Sequence, residues 1–187
     1  VLKHKPTTIE KEISKWACSP DFSIEMIKEN FEKKAPDVEF QEVLSNISIP
    51  YKSPLAHYLL CVYEADGFNR KEVWADPGRK NTTIEHILPQ DVDESTVHGK
   101  YWIKQFNSVD NCSLYRERLG NYAFLTPNAQ SQAQNKDFEF KKKIYETETD
   151  MQLTKELLNF GEWNMKGVNE RQTRMAEVLT KSINFKI

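Results

Sequence analysis

Residues 82–89 read Thr-Thr-Ile-Glu-His-Ile-Leu-Pro, and this segment decides the fold. Apart from the acid–histidine pair Glu85-His86, the residues before the proline are β-branched or apolar, which predicts a strand that ends at Pro89. Neighbouring residues on a strand point to opposite faces of the sheet. Glu85 and His86 therefore converge on one site only if the strand bends or ends beside them.

A second strand is predicted for residues 122–126, which read Tyr-Ala-Phe-Leu-Thr and are followed by Pro127. Polar residues flank this strand: Gly120-Asn121 comes before it, and Asn128 comes directly after the proline. Each asparagine also has a purely structural interpretation, because Asn121 suits a turn after a glycine and Asn128 suits a helix cap.

Helices are predicted for most of the remaining chain, from apolar residues at helical spacing, capping residues, and prolines or glycines at the ends. The predicted segments are 7–16, 23–34, 38–44, 55–65, 101–106, 111–119, a stretch from 128 that merges into 138–145, 153–160 and 168–183. The pattern indicates an α+β protein. Residues 51–187 form the domain that carries both strands, and residues 1–50 form a helical N-terminal segment.

Composition excludes several classes of protein. The 187 residues include 26 Lys and Arg against 28 Asp and Glu, a net charge of −2, which excludes an overall basic nucleic-acid binder but not a local basic groove. No apolar run approaches the ~20 residues that span a bilayer, so no membrane partner is expected. The three cysteines are scattered, and no signal-peptide pattern opens the chain, so a cytoplasmic location is expected.

The polar residues around the two strands match the needs of phosphodiester hydrolysis. That reaction requires a base for the attacking water and a cation at the phosphate. Histidine titrates near neutral pH, and carboxylate and amide oxygens suit Mg²⁺. Glu85, His86 and Asn128 supply these groups. A lone histidine is more often a core or surface residue than a catalytic one, so the flanking strands are what favour catalysis here.

The segment at residues 83–90 resembles the first strand of an HNH-type (His-Me finger, ββα-metal) nuclease. It is specifically similar to the C-terminal domain of GmrSD-like restriction endonucleases, and residues 119–126 resemble the second strand of that family. Further matching positions are residues 58–64, Asn128, Asn135, Phe138, Lys141, Trp163, Val168 and Arg171. The resemblance covers residue 55 to the end of the chain. It implies a small ββα-metal nuclease core embedded in a mostly helical domain.

The resemblance also implies roles for individual residues. His86 would act as the general base on water, and Asn121 would buttress the metal loop and orient the histidine. Glu85 and Asn128 would hold one Mg²⁺ or Mn²⁺ ion, with Asn135 as the competing candidate for the second position. Possible contacts to substrate phosphates are Lys136, Lys141 and Arg171. A solvated helix face is an alternative for Lys141, and a buried structural ion pair is an alternative for Arg171.

These roles describe a metal-dependent DNA endonuclease domain of a restriction or phage-defence system, acting on DNA that includes modified DNA. The resemblance further implies an N-terminal NTP-hydrolysing sensor domain in the full-length protein, and no G-x-x-x-x-G-K-[ST] loop occurs in this sequence. One alternative is a non-catalytic DNA- or protein-binding module that retains the nuclease fold. Another is a purely helical interaction protein in which the Glu85-His86 strand is accidental.

Overall fold

The computed structural model describes residues 36–70 and 82–183, together with the isolated residues Ser23, Glu29 and Lys33. The helix predicted for residues 7–16 and most of the helix predicted for residues 23–34 lie outside the described residues.

Within the described residues, helices surround a two-stranded antiparallel sheet, which confirms the α+β fold class. The α-helices are α1 (Asp37–Asn46), α2 (Pro54–Gly67), α3 (Val97–Phe106), α4 (Val109–Tyr115), α5 (Pro127–Ala133), α6 (Phe138–Thr147), α7 (Gln152–Lys155) and α8 (Met165–Ile183). The strands are β1 (Thr83–His86) and β2 (Tyr122–Leu125), and short 3₁₀ turns cover Leu119–Asn121 and Glu156–Asn159. None of the helices in these ranges is long and apolar enough to cross a membrane.

Helix α2 begins and ends where its capping residues predict. The Ser53 hydroxyl accepts a hydrogen bond from the Leu55 N–H, Pro54 occupies the first turn, and the helix ends at Gly67. Most of its apolar residues are buried in the core, which confirms the prediction of a core helix over residues 55–65, but Tyr58 is 47% exposed.

The two strands pair over four residues each, with His86 opposite Tyr122 and Glu85 opposite Ala123. Strand β1 ends at His86, although the sequence predicts that it continues to Leu88. The reason is that the side chain of Asn121 bonds both the N–H and the carbonyl of Leu88, at 2.8 and 3.0 Å. One backbone bond follows the histidine, from Ile87 N–H to the Asn121 carbonyl at 3.0 Å, and at Leu88 the Asn121 side chain replaces the backbone ladder.

Two predicted helices also end differently. Helix α4 stops at Tyr115, and Gly120 lies inside a 3₁₀ turn because α8 approaches its backbone closely. The predicted continuous helix after residue 128 is broken between α5 and α6. Gln134 adopts a φ of 34° at that break, and Asp137 then starts α6 by accepting a hydrogen bond from Phe140 N–H.

Helix α8 packs against α1, α2 and the turn that precedes β2. The amide nitrogen of Gln172 in α8 donates to the carbonyls of Leu44 and Ile47, each at 2.9 Å. The guanidinium of Arg118 donates to the carbonyl of Ser45 at 2.8 Å. Residues 37–46 are therefore packed on the body that contains the strands, and the predicted boundary after residue 50 stays a prediction.

Candidate active site

An open pocket of about 410 Å³ lies where β1 ends beside α5. Its lining combines the acid–histidine pair with amides and a hydroxyl from the helix that follows β2. The lining residues are Glu85, His86, Pro89, Gln90, Pro127, Gln130, Ser131, Gln134 and Asn135. Glu85 and His86 both line this pocket because the strand ends at the histidine. The sequence analysis required the strand to bend or end there for the two residues to converge on one site.

His86 is almost completely buried, at 7% exposure, and its ring is held by aromatic neighbours. Tyr51 and Tyr122 contact it edge-on, with ring centroids 4.9 and 5.1 Å away. Its Nε2 atom is buried, and Oε1 of Glu117 lies 3.5 Å from it. Burial lowers the pKa of His86 below its ordinary value, and the Glu117 charge opposes that shift. The imidazole is therefore neutral at pH 7, the state that can accept a proton.

Glu117 was missed by the sequence analysis. Its Oε2 atom accepts a hydrogen bond from the backbone N–H of Tyr51 at 3.0 Å and lies 2.6 Å from the Tyr122 hydroxyl. Burial and the Glu117 carboxylate both raise the pKa of Tyr122, so the phenol keeps its proton. Glu117 belongs to no motif in the sequence, and only the course of the loop before β2 brings it to His86.

Glu85 forms a buried ion pair with Lys141. The Lys141 ammonium donates to Glu85 Oε1 at 2.6 Å and to the His86 carbonyl at 2.7 Å. Burial raises the pKa of Glu85, and the Lys141 charge opposes this shift. Burial likewise lowers the pKa of Lys141. The sequence suggested a phosphate contact for Lys141, but the structure gives it an internal role, because its ammonium is buried and bonded inside the protein.

Asn121 is completely buried, and both ends of its amide are bonded. Its oxygen accepts from Leu88 N–H and from the Trp163 indole at 2.8 and 3.1 Å, and its nitrogen donates to the carbonyls of Leu88 and Arg116. These bonds fix the chain directly after His86. The geometry agrees with an orienting role, exerted through the backbone rather than through contact with substrate.

The two candidate asparagines for the metal lie in different places. Asn135 lines the pocket with Glu85 and His86, whereas Asn128 is exposed on the first turn of α5 and is not part of the lining. Asn128 is also not the helix cap, because the Thr126 hydroxyl accepts from Ala129 N–H at 3.2 Å.

Arg171 and Lys136 complete the predicted set. Arg171 is buried, its Nε atom donates to Glu156 at 2.6 Å, and its other nitrogens bond backbone carbonyls. The structure thus contains the buried ion pair that the sequence left open for Arg171, and this side chain is not at the surface to meet a phosphate. Lys136 stays partly exposed next to Asn135, with its ammonium 5.6 Å from the Phe140 ring centroid.

Two side chains of the pocket carry oxygen donors of the kind found in divalent-metal sites. Among residues 36–70 and 82–183, no group of three or more His, Cys, Asp or Glu side chains is arranged to hold a metal ion. The second oxygen of Glu85 and the amide oxygen of Asn135 are nonetheless donors of the type that hard cations prefer, and both residues line the pocket.

The fold and site define an α+β protein whose short sheet ends in an acid–histidine pair beside a helix-lined pocket. Residues 34–178 match the model for the C-terminal domain of GmrSD restriction endonucleases, and the chain belongs to this family. No curated protein matches the chain. Membership assigns the chain to the nuclease domains of restriction endonucleases, whose substrate is DNA.

Proposed function

We propose that this domain is a divalent-metal-dependent DNA endonuclease of the HNH type that hydrolyses phosphodiester bonds in cytoplasmic restriction and phage defence. The single observation that carries the proposal is the buried imidazole of His86 at the lining of a pocket, in a chain of a restriction endonuclease family. A general base must be largely unprotonated at working pH and reach the water that it activates.

His86 is the proposed general base, and its accepting atom is Nδ1. The other ring nitrogen, Nε2, is buried against Glu117, so Nδ1 is the nitrogen available to a water molecule in the pocket. Nδ1 would take a proton from the attacking water while the oxygen of that water forms a bond to phosphorus. The bond between phosphorus and the leaving 3′ oxygen would then break. Tyr51 and Tyr122 keep the ring in position throughout.

We propose Glu85 and Asn135 as ligands of one Mg²⁺ or Mn²⁺ ion, with Asn128 as the alternative to Asn135 that the sequence favoured. When bound, the ion would supply positive charge at the scissile phosphate and at the leaving oxygen. Lys141 holds one oxygen of Glu85, and the buried Tyr145 hydroxyl also interacts with this carboxylate, so a cation would compete with both groups for it. The nearby ammonium also weakens the attraction of this carboxylate for a cation.

The DNA backbone would lie along the open side of the pocket. Lys136 is the proposed phosphate contact there, because it follows Asn135 and keeps solvent exposure. Arg116 is a second cation on this side, since its guanidinium donates to the carbonyl of the pocket residue Gln90 at 3.3 Å. We further propose that an NTP-hydrolysing sensor domain in the full-length protein selects the DNA, including modified DNA.

Plasmid nicking tests the proposal directly. The wild-type chain should nick supercoiled plasmid with Mg²⁺ or Mn²⁺ and stop when EDTA is added, and His86→Ala should lose the activity. His98→Ala is the matched control, because this partly exposed histidine lies on α3 outside the pocket. Equal nicking by the wild type and His86→Ala would exclude His86 as the base.

A non-catalytic binding module is the second candidate function, and the Glu85–Lys141 ion pair favours it. A carboxylate that is already neutralised by an ammonium has less charge left to hold a metal ion. Under this alternative, the chain would bind DNA with a strong salt dependence, and it would not cut DNA whichever divalent metal is added. Any cleavage that depends on His86 would exclude the alternative.

A further inference from the structure

We propose that Glu117 is a positioning residue that holds His86 in the tautomer with the proton on Nε2, which leaves Nδ1 free to accept a proton. The inference rests on the proposed function, in which His86 activates water. It adds a residue that lies outside every motif of the sequence and outside the lining of the pocket.

The two oxygens of Glu117 have different neighbours. Oε2 is held by the backbone N–H of Tyr51 at 3.0 Å, a group that can only donate. The Tyr122 hydroxyl lies 2.6 Å from Oε2 and also 2.6 Å from the Ile49 carbonyl, and its one proton favours the charged acceptor. Oε1 is the oxygen that remains for His86, 3.5 Å from Nε2.

A carboxylate can only accept hydrogen bonds, and this property selects the tautomer. An Nε2–H is attracted by the nearby carboxylate. Without the proton, the lone pair of Nε2 would lie close to a negatively charged oxygen and be repelled by it. Within the described residues, buried Nε2 has no hydrogen-bond partner, and the 3.5 Å contact with Glu117 acts through the charge of the carboxylate, which attracts an N–H and repels a lone pair. The proton of the neutral ring therefore belongs on Nε2, and the lone pair of Nδ1 is left for water.

Glu117→Gln tests this role with a side chain of almost the same shape. The Tyr51 N–H requires an acceptor at the Oε2 position, so the amide oxygen of glutamine would lie there and the amide NH₂ would face His86. Nε2 would then have to accept, and the ring proton would move to Nδ1. An Asp-to-Asn change beside a catalytic histidine costs about 10⁴-fold in kcat through the wrong tautomer.

Two measurements on the 187-residue chain separate the positioning role from the nuclease function. The first is the tautomer of His86, read from histidine ¹⁵N and ¹³C chemical shifts at about pH 8, where the ring is neutral. His86→Ala assigns the signal. The second is the kcat and KM of plasmid nicking. The first measurement does not depend on cleavage, and the second reports on the nuclease function in the wild type.

The wild type should show the Nε2–H tautomer, and Glu117→Gln should show Nδ1–H with kcat lower by about 10²- to 10⁴-fold and KM little changed. Glu117→Asp retains an acceptor-only group and should keep the Nε2–H tautomer and most of the activity. Three results would overturn the inference: an Nδ1–H tautomer in the wild type, an unchanged tautomer in Glu117→Gln, or equal losses in the Gln and Asp variants. A wild type that shows Nε2–H but never nicks DNA would refute the nuclease function and leave the positioning role standing.

Discussion

The Lys141 ammonium lies 2.6 Å from the Glu85 carboxylate, and both side chains are buried in the protein. The same ammonium donates to the carbonyl of His86, so one side chain ties α6 to the last two residues of β1. This residue pair therefore affects both the structure of the strand and the proposed metal site. The pair holds the end of the strand that carries His86. It also occupies one of the two oxygens of the carboxylate that would hold a metal ion.

Loss of Lys141 should destabilise the fold. Lys141→Met leaves Glu85 as a buried charge without its partner, a change that costs about 3–5 kcal/mol in the free energy of unfolding. Urea unfolding followed by circular dichroism measures this quantity. Lys143→Met is the control, since Lys143 is exposed on the same helix and should change stability by at most about 0.5 kcal/mol. Equal stability of both variants would show that the buried pair contributes nothing.

Asn121→Asp should damage both stability and nicking. A carboxylate keeps the acceptor for Leu88 N–H and Trp163, but it cannot donate to the carbonyls of Leu88 and Arg116. The expected loss is about 1–3 kcal/mol for each buried group left unpaired, with slower nicking because the chain after His86 loosens. Asn159→Asp, at the exposed last residue of the 3₁₀ turn Glu156–Asn159, is the control. Wild-type behaviour of Asn121→Asp would refute its supporting role.

Gly120→Ala should displace α8 from the turn before β2. A Cβ atom at Gly120 would lie 2.5 Å from the Val168 carbonyl and 2.9 Å from the Cβ of Gln172. Such overpacking costs about 1–3 kcal/mol, measurable as a lower midpoint of thermal or urea unfolding. Gly161→Ala provides the control, because among the described residues no atom beyond its own chain neighbours lies within 4 Å of the added Cβ. A stable Gly120→Ala protein would mean that the helix and turn separate at little cost.

Two alanine variants test which asparagine serves as the proposed metal ligand beside Glu85. Asn135 lines the pocket and Asn128 does not, so Asn135→Ala should weaken Mn²⁺ binding, measured by calorimetry, whereas Asn128→Ala should leave it unchanged. Both residues are exposed, and neither change should affect folding. The opposite order of affinities would favour the pair that the sequence suggested, Glu85 with Asn128.

Acid should destabilise the metal-free protein through His86. Burial lowers the pKa of the folded imidazole, so the unfolded chain, with an ordinary pKa near 6.5, binds the proton first as pH falls. Stability is therefore fully present above about pH 6.5 and declines below it until the lower pKa of the folded state is reached. Urea unfolding between about pH 5 and 8 in EDTA should show this decline in the wild type and in His98→Ala. A decline of the same size in His86→Phe would assign it to other groups.

Local elements whose ends are set by neighbouring residues could be predicted from the amino-acid sequence alone. Helix α2 begins at Ser53 and Pro54 and ends at Gly67, and strand β2 follows from the apolar residues of 122–126. Both could be predicted because capping residues and short apolar runs act over a few residues. The combination of Glu85-His86 with Gly120-Asn121 was enough to indicate the family.

The partners of these residues depend on how the helices and loops pack, and the sequence did not predict them. Glu117 meets His86, Lys141 meets Glu85 across 56 positions of the chain, and Arg171 is bonded to Glu156 and to backbone carbonyls. These partners come from helices and loops whose relative placement depends on packing in the core, not on neighbouring residues. A lysine or arginine has the same local sequence pattern whether it is solvated or buried, so the sequence could only suggest contacts to phosphates. Of the three suggested residues, packing buries Lys141 and Arg171 inside the protein.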